Sequence, residues 1–255
     1  MTVVPLHYRF DGSRHAPVAL LIPPLGTKWS VWEPQMPELT RTLRVLRVNH
    51  RGHGATPAPE GPYTLDDLGN DVLAVLDGCG LDRYSVIGAG TGGALATWVA
   101  LSRPAQVRRL AYVAGTTGAP PAVSWSKLAD QVLGSGMAAV SAETTRAWFT
   151  PWFVEERPDV VARLVAEFEG ISPVGYAGHC AALDGLDQRL SLARIRVSTL
   201  VLSAAHDPFL PPGHGRRLAD AIPGARFEVI PRAAHLVGIE RAERVNELLM
   251  AHVGG

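Results

Sequence analysis

Two stretches of the chain carry residue types that can move a proton beside a carbonyl group. In "TLVLSAAHDPFLPP", Asp207 follows an apolar run and precedes prolines that force a loop; in "FEVIPRAAHLVGIERAERV", His235 lies between another apolar run and a helical pattern. A carboxylate bound to one imidazole nitrogen selects a tautomer, and the other nitrogen can then act as base and acid. Singly, each has a structural reading: Asp207 could cap the turn before Pro208, and His235 could be a loop histidine. Jointly, after successive strands and in this order, they match the last two members of a nucleophile, acid, histidine series.

The first member should lie upstream, on a sharp strand-to-helix turn. "YSVIGAGTGGALA", Tyr84 to Ala96, has that form, and it allows two readings. Gly88, Gly90 and Gly93 fit the GxGxxG dinucleotide fingerprint, which also requires an acid at the end of the following strand. That strand ends in Ala114, Gly115, Thr116 and Thr117, and about 80 residues precede the motif, so the fingerprint is incomplete. Gly88, Ala89, Gly90, Thr91 and Gly92 match a GxSxG elbow at every position except the serine. The elbow reading accounts for Asp207 and His235 as well.

These residues need a scaffold of strands that end near one another. Short apolar runs at 3–10, 18–22, 44–49, 84–88, 109–114, 199–203 and 226–230 alternate with helical patterns, the signature of a mostly parallel twisted sheet with helices on both faces. "TLDDLGNDVLAVLDGCG" predicts an amphipathic helix with Thr64 as N-cap, Gly80 as stop and solvated charge on its outer face. The alternation fails from about Gly118 to Ala193, where helical stretches are interrupted by Pro120, Pro121, Pro151, Pro158 and Pro173. The expected organisation is a core of residues 1–117 and 194–255 with a helical cap over 118–193. Trp125, Trp148, Phe149, Trp152, Phe153 and Tyr176 make the cap rich in aromatics, which can build its own core or roof a cavity.

Composition narrows the ligand. Lys plus Arg and Asp plus Glu are 24 each in 255 residues, so no net field favours nucleic acid or an anionic membrane. A small organic molecule is expected, apolar or ring-containing if the cap aromatics face it. Cys79 and Cys180 have no metal or disulfide spacing, no metal or cofactor motif is complete, and no apolar run reaches 18 residues. A soluble, cytoplasmic protein is the expectation; the oligomeric state is open.

"PLGTKWSVWEPQ" (Pro24 to Gln35), "RVLRVNHRGHGATPAPEGPYTLDDLGNDVLAVLD" (Arg44 to Asp77), "GYAGHCAALDGLD" (Gly175 to Asp187) and the segment from Leu200 to Leu236 resemble the α/β-hydrolase superfamily, and within it the 3-oxoadipate enol-lactonases. The resemblance implies an α/β-hydrolase fold with a cap. It implies that Asp207 orients His235 and that the backbone amides of Leu25 and Thr91 form an oxyanion hole. Trp32, Trp125, Trp148, Trp152 and His179 are the candidates to touch substrate. His53, in "RGHGAT", reads as a loop hydrogen-bonding residue, while Ser30, Ser203 and Cys180 are weak substitutes for a nucleophile.

Where the family has its serine this chain has Gly90, and before "PLG", where a histidine is usual, it has Pro23. Glycine has no side-chain atom to attack a carbonyl, which excludes a covalent acyl-enzyme at this position. Three readings follow. The site is retooled for non-covalent acid–base chemistry by a His–Asp dyad (elimination, isomerisation, cyclisation or decarboxylation, with hydrolysis the lesser branch). Alternatively it is a pseudoenzyme or small-molecule binder. Or the glycine is an introduced change in a lactone or ester hydrolase.

Overall fold

The computed structural model describes residues 2–119 and 123–254. Strands β1 (Tyr8–Asp11), β2 (Val18–Ile22), β3 (Arg44–Val48), β4 (Tyr84–Ala89), β5 (Val107–Val113), β6 (Ser198–Ala204) and β7 (Arg226–Ile230) form one sheet in the order β1-β3-β2-β4-β5-β6-β7. Only β1 runs antiparallel to its neighbour; the remaining pairs are parallel. Central strands such as β2, with sequence VALLI, are buried at every position because helices cover both faces. The period-2 alternation sends Leu21, Val45 and Ile87 into one core and Leu20, Leu46 and Val86 into the other.

Residues 3–7 were expected to extend the first strand, yet β1 begins at Tyr8. The Val4 amide instead donates to Asp71 Oδ1 at 2.8 Å, so a side chain replaces the ladder there. Asp71 corrects a second expectation, that helix charge would be solvated. It is buried and paired with Arg51, whose Nη2 lies 3.0 Å from its Oδ1.

Helix α1 (Met36–Leu39) precedes β3, and α2 (Leu65–Gly78) and α3 (Gly92–Ser102) flank β4. In α2, Thr64 Oγ1 accepts from the Asp67 amide at 3.1 Å and Asp67 Oδ2 accepts from the Thr64 amide at 2.9 Å, a complete capping box. Helices α4 (Trp125–Ser135), α5 (Ala138–Arg146), α6 (Pro151–Glu156), α7 (Pro158–Glu169) and α8 (Pro173–Leu183) fill the stretch without strands. Pro151, Pro158 and Pro173 open helices rather than interrupt them, since the first helical residue needs no N–H donor. Pro120 and Pro121 lie outside the described residues. Helices α9 (Pro212–Ala221), α10 (Val237–Glu240) and α11 (Ala242–Val253) complete the chain. No helix among the described residues is long and apolar enough to cross a membrane.

Trp125, Trp148, Phe168 and Tyr176 of the helical layer belong to the same apolar cluster as Leu21, Ile87 and Leu202 of the sheet. The layer is therefore seated on the sheet by continuous packing. Pro24, Thr91, Thr116, Phe209 and His235, which follow β2, β4, β5, β6 and β7 respectively, meet beneath it at one cavity. This is the carboxyl end of the parallel strands, where an open α/β sheet gathers loop residues.

Candidate active site

The turn after β4 is tight because glycines let backbone approach backbone. A Cβ on Gly92 would meet the carbonyl oxygens of Ile22 and Pro23 at 2.5 and 2.6 Å, so the start of α3 can lie directly on the end of β2. Gly90 itself has φ +50°. Its amide donates to Val113 O at 3.2 Å, and its carbonyl accepts from Thr116 N at 2.9 Å and Gly93 N at 3.1 Å. A Cβ on Gly90 would stand 3.1 Å from His235 Nε2 and 2.7 Å from Pro24 Cβ. The turn thus points at the imidazole, but the proline crowds any side chain placed there. Gly90→Ala is expected to cost about 2–4 kcal/mol in urea unfolding, from left-handed backbone strain plus overlap with Pro24; an unchanged midpoint would show that the Pro24 loop yields freely.

His235 Nδ1 donates to Asp207 Oδ2 at 2.8 Å. Asp207 Oδ1 accepts from the amides of Phe209 at 2.9 Å and Leu210 at 3.0 Å, which places both carboxylate oxygens in use. Burial alone would raise the Asp207 pKa. The His235 charge and hydrogen bond, with the two amides, outweigh it and hold the carboxyl below its ordinary value. The neighbours of His235 are also tied: the Ala234 amide donates to Glu240 Oε2 at 2.8 Å and the Leu236 amide to Trp148 O at 2.9 Å. The free ring nitrogen, Nε2, is left facing Gly90.

Thr91 departs from expectation. Its hydroxyl, and not only its amide, faces the loop after β2: Thr91 Oγ1 accepts from the Leu25 amide at 2.8 Å. The Leu25 donor is therefore engaged by a side chain, because a threonine at the start of a helix can reach across and satisfy a half-buried N–H. Among the described residues the Thr91 amide has no hydrogen-bond acceptor. The Thr91 hydroxyl retains its own proton to donate towards the cavity that it lines.

The loop bearing Leu25 rests on three buried histidines. His50 Nε2 donates to Pro23 O at 2.7 Å, whereas His53 Nε2 accepts from the Gly26 amide at 3.2 Å and its Nδ1 donates to Arg51 O at 2.8 Å. His179 packs edge-on against both rings, at centroid distances of 4.9 and 5.5 Å. Burial pushes His50 down to about 4 despite its bond to Pro23 O. Burial and the neighbouring His50 push His53 down to about 3, and His179 lies well below the ordinary histidine value for the same reasons. The loop role expected of His53 matches its contact with Gly26. The participation of His50 and His179 was missed, since their meeting depends on α8 packing across the loop after β3; "NHRGHG" was the available signal.

The cavity over the turn has a volume of about 320 Å³, at the small end of the range for ligand sites. Of the residues expected to touch substrate, Trp125 and Trp148 line it. Three other substrate candidates do not. Trp32 is buried and lines a separate small chamber, because the helical turn that carries it packs against α10 and β2. Trp152 lies outward at 52% exposure beside His206, because it occupies the solvent side of the short helix α6. His179 is buried within the histidine group on the inner face of α8.

The substitute nucleophiles are also placed elsewhere. Ser30 Oγ donates to Glu167, Ser203 is buried against Gly215, and burial pushes the Cys180 thiol up to about 12. Both cysteines are free, and among the described residues no group of His, Cys, Asp and Glu could hold a metal ion.

Comparison with known proteins agrees with this architecture. The model of the "Alpha/beta hydrolase family" matches residues 19–248. 3-Oxoadipate enol-lactonase 2 of Acinetobacter baylyi is 31% identical over 97% of this chain and 92% of its own. A crystal structure of the enol-lactonase from Burkholderia xenovorans superposes with TM-score 0.93 at 36% identity, covering 97% of this chain and 96% of that one. A hydrolase from Pseudomonas aeruginosa superposes with TM-score 0.94, also at 36% identity, covering 99% and 95%. With its sheet order, its turn after β4 and a family match over most of its length, this chain belongs to the alpha/beta hydrolase family.

Proposed function

We propose that the chain is a hydrolase-type enzyme acting on a small lactone or ester without a covalent intermediate. The observation that carries this reading is the placement of His235: Nδ1 is held by Asp207, and Nε2 faces a residue that has no side chain. Nε2 takes a proton from water as the water oxygen bonds to the carbonyl carbon. The carbonyl oxygen becomes an oxyanion, met by the Thr91 amide and by the Thr91 hydroxyl, whose oxygen is itself polarised by the Leu25 amide. Collapse of the tetrahedral species breaks the carbon–oxygen bond, and the imidazolium returns its proton to the leaving oxygen. Trp125, Trp148, Tyr176 and Phe209 give the cavity walls suited to an apolar or ring-containing substrate.

Elimination, isomerisation, cyclisation or decarboxylation would use the same base. The enol-lactonase and hydrolase relatives favour water addition over these, reversing the order expected from the missing serine alone. A binder would need neither Asp207 nor His235 in this arrangement. An introduced serine-to-glycine change would leave the space over Gly90 fitted to a hydroxymethyl group, and Pro24 at 2.7 Å from the Cβ position speaks against that.

Incubation with p-nitrophenyl butyrate and a panel of enol- and γ-lactones in H₂¹⁸O tests the reading. One ¹⁸O is expected in each product carboxylate, with no acyl adduct on the intact protein by mass spectrometry. An acyl-protein adduct on the reaction path would overturn it. Saturable binding without product would establish the binder, and solvent deuterium entering substrate without hydrolysis would establish proton-transfer chemistry instead.

A further inference from the structure

Beside His235 lies a second, smaller chamber of about 20 Å³, bounded by Gly90, His235, Pro24, Trp32 and the start of α10. One water molecule requires roughly 10–15 Å³ of such space and two to four polar partners, so the chamber has room for one water and for no larger ligand. Its walls are mainly apolar, from Val31, Ala89, Val113, Leu236 and Ile239. Trp32 is the exception. It is only 2% exposed, and its indole Nε1 has no hydrogen-bond partner among the described residues. An indole N–H buried without an acceptor costs free energy that a phenylalanine in the same space would avoid.

Gly90 and His235 both line this chamber, and the Cβ position at Gly90 is 3.1 Å from His235 Nε2, so a side chain there would crowd that nitrogen. Pro24 and His235 line both the chamber and the larger cavity.

We propose that this chamber is a binding site for a single water molecule, which accepts from the Trp32 indole N–H, donates to His235 Nε2, and supplies the oxygen that attacks substrate. The role in attack rests on the hydrolytic reading above; the site itself rests on the chamber and Trp32. The absence of a side chain at Gly90 then has a positive function, since Nε2 is left without a side-chain partner at position 90 and is free to meet the water. The balance of atoms is simple: the water gives one proton to Nε2 and its oxygen to the carbonyl carbon, and the departing oxygen recovers the proton.

Three measurements test the site on the full-length protein. A crystal structure at 1.5 Å or better is expected to show an ordered water within hydrogen-bond distance of both Trp32 Nε1 and His235 Nε2, and solution NMR a cross-relaxation peak between the indole proton and a long-lived water. Trp32→Phe is expected to lower kcat for p-nitrophenyl butyrate by about 10- to 100-fold, the range for misplacing a reacting group, while KM holds and the melting temperature falls by only the few degrees that the space left by the smaller ring costs. An empty chamber, or unchanged kcat in Trp32→Phe, overturns the proposal. The two readings fail separately. If Trp32→Phe is fully active while His235→Ala is not, the base survives without this water; if water is present but His235→Ala is fully active, the hydrolytic reading fails and the site stands. Should p-nitrophenyl butyrate be inert towards the wild type, density and cross-relaxation still decide the site.

Discussion

Alanine at position 235 is expected to lower kcat/KM for p-nitrophenyl butyrate by about 10²- to 10⁴-fold, the usual contribution of a positioned general acid–base. The change removes the ring nitrogen that faces Gly90 and leaves the aromatic walls of the cavity and the Thr91 donors in place. KM should therefore change far less than kcat. Asp207→Asn probes the same dyad differently. Its amide can donate where the carboxylate accepts, which would turn the His235 tautomer so that Nε2 carries the proton and cannot serve as base. A loss of about 10⁴-fold has this physical origin in the serine protease triad, and a comparable loss is expected here. Because the Asp207 carboxyl is held below its ordinary value, it stays ionised above pH 5 and adds no step to the pH–rate profile there. Initial rates for both variants, beside circular dichroism to confirm folding, check the dyad; retention of activity within threefold of wild type would remove His235 from the mechanism.

Acid is expected to destabilise the fold steeply between about pH 6.5 and pH 4. His50 and His53 are neutral in the folded chain, with values near 4 and 3, and His179 is lowered with them, whereas each titrates near 6.5 when unfolded. Between those values the unfolded chain binds more protons, so stability falls as pH falls. The stabilisation is complete above 6.5 and is lost as pH drops towards the folded values. For His50 the shift corresponds to about 3 kcal/mol, and three such groups would give a slope of about 4 kcal/mol per pH unit near pH 5.

Arg51 adds to the effect at His179, and Lys28 at His53, since a nearby cation opposes a second positive charge. Protonated His53 could no longer accept from the Gly26 amide, so the loop carrying Leu25 loses that support when His53 is charged. Urea unfolding at pH 7.5, 6 and 5 measures the slope, and His179→Asn should reduce it by about a third. A stability that is flat from pH 7 to 5 would contradict the burial of these rings in their neutral form.

Much of the fold is readable along the chain because its causes are local. Apolar runs such as VALLI and YSVIGA match β2 and β4, and Thr64 with Asp67 marks the start of α2 through bonds that span only three residues. The limits shifted where a distant partner intervened. Residues 3–7 leave the ladder because Asp71 takes the Val4 amide, and the cap prolines open helices whose positions are set by packing on the sheet. The aromatic candidates divided for the same reason. Trp125 and Trp148 line the cavity, Trp152 lies outside, and Trp32 lines the smaller chamber.

The sequence by itself determined the family pattern, the order of Gly90, Asp207 and His235, and the chemical fact that no nucleophile stands at position 90. These depend on residue type and on spacing within single elements. Only the tertiary structure decided that the Thr91 hydroxyl takes the Leu25 amide, that buried His50 and His53 hold the loop with His179 packed against them, and that Trp32 and Gly90 bound a chamber beside His235. Each of those joins residues from different elements at hydrogen-bond or van der Waals range, and such distances are set by how helices and loops pack on the sheet rather than by any neighbour along the chain.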